Sequence, residues 1–186
     1  MHVGLLIYGS LETLSGGYLY DRRLVEHLQS KGDTVEIVSL PWRNYPRQLG
    51  DNPSGSLYTR LKGLPVDLLL QDELNHPSLF WLNRRLHNQV SYPIIAIVHH
   101  LRGSETHPTP TRNLYRWVER RYLDTVDGFV YNSQATRQTV ERTISRKSLG
   151  VVVHPGRDRL DPQISNSQLM QRAHDPGPLR LLFLGN

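Results

Sequence analysis

Two adjacent histidines, His99 and His100, follow the apolar run "IIAIV", and a glycine pair, Gly16 and Gly17, follows the apolar run that opens the chain. An imidazole at the end of a buried strand can donate to or accept from a hydroxyl, and its near-neutral pKa also lets it carry a proton. Paired glycines ahead of a helix let backbone N–H groups approach phosphate oxygens with no Cβ in the way, while the positive end of the helix points to the same place. The spacing excludes the two commonest phosphate loops, because Gly9, Gly16 and Gly17 do not make GxGxxG and GxxxxGK[ST] is absent. The same residues also have structural readings: a tight helix start for the glycines and a backbone-bonded imidazole for the histidines. No metal is expected, since two adjacent side chains rarely converge on one ion.

Other polar residues lie near these in the sequence. Arg102 and Glu105 in "LRGSE" either reach a ligand or stand in solvent, and Ser133 is most economically a helix N-cap. Gly156 and Asp158 in "PGRD" either border a site or form an ordinary turn. The helix "TRNLYRWVERRYL" places Arg112, Arg116 and Arg120 at i, i+4 and i+8, a stripe that suits anionic lipid head groups or plain solvent.

These side chains need a frame, and strand and helix signals alternate along the chain. Strands are predicted at 2–8, 34–40, 66–71, 93–98, 128–132 and 150–155, the middle ones continuously apolar as in a parallel sheet buried on both faces. Helices are predicted where Tyr20, Leu24, Val25 and Leu28 recur, with Gly32 ending the helix, around "PSLFWLNRRLHNQ", at about 112–123 and after Ser133. The stretch "PWRNYPRQLGDNPSG" is too rich in Pro and Gly to be read as regular. The β-α order indicates an α/β, doubly wound, mostly parallel sheet of Rossmann-like type, with ligands at its carboxyl edge. Beyond it a polar stretch contains a short helix at 165–173, then "LRLLFLGN" gives one more strand signal.

Composition narrows the functions. The chain of 186 residues has no Cys, which excludes disulfides and thiolate metal sites and is compatible with a cytoplasmic location. Its net charge of +5 favours acidic partners without choosing among nucleotide phosphates, nucleic acid and lipid. No recognition helix or aromatic-basic sheet signature supports nucleic acid, and the absence of GxGxxG weakens a dinucleotide-dependent enzyme; both stand as alternatives.

"LSGGY", "VHHLRGSE", "VDGFVYNSQATRQ", "VHPGRD" and "LRLLFLGN", in that order, resemble the amino-terminal, acceptor-side half of a glycosyltransferase family 4 enzyme with the GT-B fold. The resemblance implies a retaining glycosyltransferase of hexosyltransferase type that moves a sugar from a nucleotide-sugar donor to a hydroxyl of a glycan or lipid-linked acceptor. It implies no cofactor, the nucleotide-sugar being a substrate. Gly16 and Gly17 would then meet the donor phosphates and His99 would be the catalytic residue. His100, Arg102, Glu105, Ser133, Gly156 and Asp158 would line the cleft or the acceptor side. The family has one His after this strand where this chain has two, so either could face the cleft, with His99 favoured. The expected division is a Rossmann-like domain at 1–162, a linker at 163–178 and, at 179–186, the first strand of a truncated donor-binding domain. Such a fragment is expected to be inactive alone, and the enzyme cytoplasmic with peripheral contact at the inner membrane face.

Overall fold

The computed structural model describes residues 1–144, 146, 149–156, 163–174 and 177–178 of the chain. Six strands, β1 (His2–Tyr8), β2 (Thr34–Leu40), β3 (Leu68–Asp72), β4 (Ile94–Val98), β5 (Gly128–Tyr131) and β6 (Leu149–Val152), form one sheet in the order β2-β1-β3-β4-β5-β6. Every neighbouring pair is parallel. Strands are added outward from β1 in one direction and then, from β3 on, in the other. The reversal leaves a crevice outside the carboxyl ends of β1 and β3, where doubly wound sheets bind ligands.

Alternation along the strands sorts the apolar residues into two cores, one per face. Val3, Leu5, Ile7, Leu70 and Ile97 face α1 (Gly16–Ser30), which contributes Tyr18 and Val25. Leu6, Leu69, Ala96, Val98 and Phe129 lie on the opposite face. There they meet α3 (Gly55–Lys62), α5 (Leu82–Leu86), α6 (Thr109–Leu123) and α7 (Gln134–Thr143) through Leu61, Leu86, Tyr122 and Val140. Helices therefore cover both faces, as the β-α order predicts.

Local chemistry sets the helix ends. Ser15 Oγ accepts from Tyr18 N at 3.2 Å to cap α1, and Gly32 leaves the helix at φ 87°, a left-handed turn that glycine takes without a Cβ penalty. The segment expected to be irregular holds α2 (Tyr45–Leu49), because Asn44 caps it and Pro46 sits in the first turn, where its missing N–H costs nothing. It is followed directly by α3, capped by Ser54, which buries Leu57 and Leu61. The single helix expected around residues 77–89 is two: α4 (His76–Leu79) and α5, separated at Phe80 and Trp81. The last strand is shorter than expected, ending at Val152.

The chain forms two compact units, Met1–Pro155 and Gly156–Asn186. The second contains α8 (Asn166–Ala173), opened by a capping box in which Ser165 and Gln168 satisfy each other's backbone N–H. The predicted strand at 179–186 lies outside the described residues. Among the described residues no helix is long and apolar enough to cross a membrane.

Candidate functional site

The carboxyl ends of β3 and β4 meet the first turns of α1 at the crevice, and the side chains gathered there are acidic and dry. Asp21 and Asp72 are fully buried and Glu73 is 3% exposed. His99 joins them as the first residue after β4. Its Nε2 lies 3.1 Å from Asp21 Oδ1, and its backbone N–H donates to Glu73 Oε2 at 2.7 Å. The His99 carbonyl accepts from Asn132 Nδ2 at 2.9 Å, and the Tyr20 ring stands edge-on to the imidazole with centroids 5.1 Å apart. Gly17 completes the seat: a Cβ added there would come within 3.3 Å of His99 Cδ2. The absent side chain of Gly17 thus makes room for the imidazole, whereas Gly16 faces open space.

Burial raises the Asp72 carboxyl well above the usual range, and the charges of Glu73 and Asp21 reinforce the shift. Glu73 is raised too, chiefly by burial, with the His99 charge opposing. Asp21 Oδ2 and Asp72 Oδ2 are buried with no hydrogen-bond partner. For His99, burial alone would lower the pKa, yet the bond to Asp21 and the charges of Glu73 and Asp21 raise it. Ligand atoms of Asp21, Asp72 and His99 fall within 4.8 Å of one another, a set a divalent cation could bridge. The His99–Asp21 contact, at 3.1 Å, has hydrogen-bond length.

The end of β3 is fixed by its own polar run. Asp72 Oδ1 accepts from Leu74 N at 2.9 Å, and His76 Nδ1 and Nε2 contact Glu73 O at 2.8 Å and Tyr45 Oη at 3.2 Å. Burial holds His76 down at about 4, so it stays neutral. The Asn75 amide ties β3 to β1 by donating to Leu6 O and accepting from Tyr8 N.

The loop after His99 turns outward. The His99 side chain is 12% exposed and that of His100 is 61% exposed, with His100 Nε2 3.7 Å from Glu105. Glu105 also contacts His107 at 3.1 Å, and Arg102 stacks over Tyr115 with 4.7 Å to the ring centroid. Buried Glu119 accepts from Gly103 N through both oxygens, at 3.0 and 3.1 Å, and Arg116 Nε donates to Gly103 O at 3.0 Å. Burial raises Glu119 to about 7 against those backbone bonds. Arg116 is therefore turned to the loop, and Arg112 is half-buried, so the expected basic stripe is not a uniform outward face.

Of the residues the sequence singled out, the structure brings together His99 and Gly17. Ser133 caps α7 through Thr136 N at 3.1 Å, and its neighbour Asn132 holds the His99 carbonyl. Gly156 begins the second unit, and Asp158 lies outside the described residues. Sequence reasoning missed Asp21, Asp72, Glu73 and Glu119. The signal for Asp72 and Glu73 was "QDELNHPS", two acids, two amides and an imidazole at the end of an apolar strand. The signal for Asp21 was its spacing from Tyr18 and Val25, which puts all three on the buried face of α1.

A second concavity, of about 970 Å³, lies at the amino edge of the sheet, where α5 and the carboxyl end of α6 lead into β4 and β5. Arg84, Arg120, Arg121, Arg146, Trp81 and Trp117 line it. Arg121 stacks on Trp117 at 5.0 Å.

A comparison with curated proteins finds no match. The family model described as Glycosyltransferase Family 4 matches residues 19–159, well over half of the chain, with His99 and its loop inside the span and the Gly16–Gly17 pair just before it. The match spans β2 to β6 of the six-stranded parallel sheet, and the chain is a member of glycosyltransferase family 4.

Proposed function

We propose that this chain is the amino-terminal, acceptor-side half of a retaining glycosyltransferase, one Rossmann-like half of a GT-B enzyme. It carries a hexose from a nucleotide-sugar to a hydroxyl of a glycan or lipid-linked acceptor. One observation carries the reading: His99, inside the span matched by the family, stands at the carboxyl edge beside Gly17 and the amino end of α1, where a doubly wound sheet receives ligand. Gly16 and Gly17 offer backbone N–H groups to the donor diphosphate, and His99 contacts the reacting sugars. No side-chain nucleophile is assigned. The leaving phosphate takes the acceptor proton as the new glycosidic bond forms on the same face, and positive groups stabilise its charge.

In this reading residues 163–178 link to a donor-binding domain that begins at 179–186, so residues 1–186 alone bind nucleotide-sugar weakly and do not turn it over. The nucleotide-sugar is a substrate and no cofactor is needed. The enzyme works in the cytoplasm, with half-exposed Trp81 and Trp117 and the neighbouring arginines offering contact to an anionic inner membrane face. The test is a nucleotide-sugar screen on the full-length enzyme, with the anomeric configuration of the product read by NMR. Transfer with retention is expected; inversion, or no transfer from any donor, would overturn the proposal.

A further inference from the structure

Two oxygen atoms at the carboxyl edge lack what buried oxygens need. Asp21 and Asp72 are both fully buried, and among the described residues neither Asp21 Oδ2 nor Asp72 Oδ2 has a hydrogen-bond partner. Carboxylates in a protein interior are paired with a cation or coordinate a metal, because water cannot reach them. The second oxygen of each is engaged: Asp21 Oδ1 lies 3.1 Å from His99 Nε2, and Asp72 Oδ1 accepts from Leu74 N at 2.9 Å.

Three separate elements bring these groups together. Asp21 comes from α1, Asp72 is the last residue of β3 and His99 is the first after β4. One ligand atom from each residue lies within 4.8 Å of the other two. Donors bound at about 2.1 Å to a tetrahedral ion stand about 3.4 Å apart. The His99–Asp21 pair, at 3.1 Å, is close to that spacing already, and no other pair needs to close by more than about 1.4 Å. The ligating groups are also held from outside the set, as metal ligands are. Leu74 N–H orients Asp72, Glu73 and Asn132 bond the His99 backbone, and Gly17 and the Tyr20 ring flank the imidazole.

We propose that Asp21, Asp72 and His99 form a site for one divalent transition cation of the zinc class. His99 Nε2 and one oxygen of each aspartate bind it, and an otherwise unpartnered Oδ2 supplies the fourth position. Two carboxylates and a neutral imidazole balance its charge. An imidazole beside two carboxylates suits Zn²⁺, whereas Ca²⁺ takes six to eight oxygens and Mg²⁺ keeps several waters, for which two fully buried carboxyls leave little room. The set is not the adjacent histidine pair, since His100 is directed to Glu105 in the exposed loop. The ion is structural: it ties α1 to the ends of β3 and β4 and fixes the His99 ring. The inference does not depend on the glycosyltransferase reading, and its test needs no activity.

The 186-residue chain, carrying His100→Ala and His107→Ala to remove the imidazoles beside Glu105, is stripped with chelator and titrated with Zn²⁺ by calorimetry. One equivalent is expected to bind. With free Zn²⁺ at about a hundredfold excess over Kd, the melting temperature is expected to rise by about 5 °C or more. Asp72→Asn in the same background should bind at least about 10²-fold more weakly, since even outer partners of metal ligands are worth up to that much. X-ray absorption of the zinc-loaded wild-type chain should show one imidazole nitrogen, with oxygen in the remaining positions.

No stoichiometric binding would mean that the two carboxyls share a proton, and would overturn the proposal. So would unchanged affinity in Asp72→Asn, two or more imidazoles at the zinc, or Mg²⁺ or Ca²⁺ raising the melting temperature as much as Zn²⁺ does. If Asp72→Asn fails to fold, the wild-type stoichiometry and absorption spectrum decide.

Discussion

The two edges of the sheet use charge in opposite ways. At the carboxyl edge, Asp21, Asp72, Glu73 and His99 are withdrawn from solvent and bonded to one another and to backbone N–H groups, with Asp21 Oδ2 and Asp72 Oδ2 left without a donor. At the amino edge, Arg84, Arg121 and the half-exposed Trp81 and Trp117 stand in an open groove. A buried charge survives only where protons and hydrogen bonds compensate it, so the first arrangement is fixed in geometry and sensitive to single changes. An exposed cation is already solvated, so the second arrangement tolerates substitution. The difference predicts where mutations should matter.

Among the residues that seat His99, the largest effect is expected from Gly17→Val. A Cβ at this position already lies 3.3 Å from His99 Cδ2, and two further methyl groups must displace the ring. A displacement of about 1 Å at a reacting group costs on the order of 10²-fold in turnover. Turnover of the full-length enzyme should fall by that order with the melting temperature little changed, and Gly17→Ala should lose less, since the ring need give only slightly. Equal activity in both variants would show that the close contact positions nothing.

Glu73→Ala comes next. It removes the acceptor of the His99 N–H inside a dry cluster, which costs about 1–3 kcal/mol of stability. Urea unfolding measures it, and an unchanged midpoint would mean that water replaces the carboxylate.

A smaller effect separates a buried acid in α6 from the exposed acids around it. Glu119 is raised to about 7 in the folded chain from an ordinary 4.5, so the folded state binds its proton more tightly than the unfolded state does. Its contribution therefore improves as pH falls from about 7 towards 4.5 and is lost above 7. His76 opposes this, because a folded value near 4 against an ordinary 6.5 costs stability as pH falls below 6.5. Glu119→Gln should flatten the first slope and leave the second, as read from melting temperatures across pH 4 to 8. Parallel curves for wild type and variant would contradict the assignment.

At the far edge, Trp117→Ala and Arg121→Ala should change stability by no more than about 0.5 kcal/mol and leave transfer to a water-soluble acceptor unaltered. Sedimentation with vesicles rich in anionic lipid should weaken for the full-length double variant. Unchanged sedimentation would remove the groove from any membrane contact.

The frame was legible because its signals are local. β1 reads "HVGLLIY" and is buried from Val3 onward, and Ser15 and Gly32 bound α1 as cap and stop. The short helices α2 and α3 were not legible, since Pro46, Gly50 and Gly55 look like breakers unless their places at helix ends are known. For the site, the position after an apolar strand singled out His99. The acids around it resembled surface charges, and what buries Asp21 against His99, 78 residues away, is the order of strands and not any local pattern.

The central claim is that His99, and not its neighbour, serves the reaction at the carboxyl edge. Its most direct test is kcat/KM of the full-length enzyme in His99→Ala and His100→Ala, each checked by circular dichroism and melting. Loss of a positioned polar group at the reacting centre predicts a fall of about 10²-fold or more for His99→Ala. His100, 61% exposed and paired loosely with Glu105, should lose far less. Unchanged turnover in His99→Ala, or a larger loss in His100→Ala, would contradict the account.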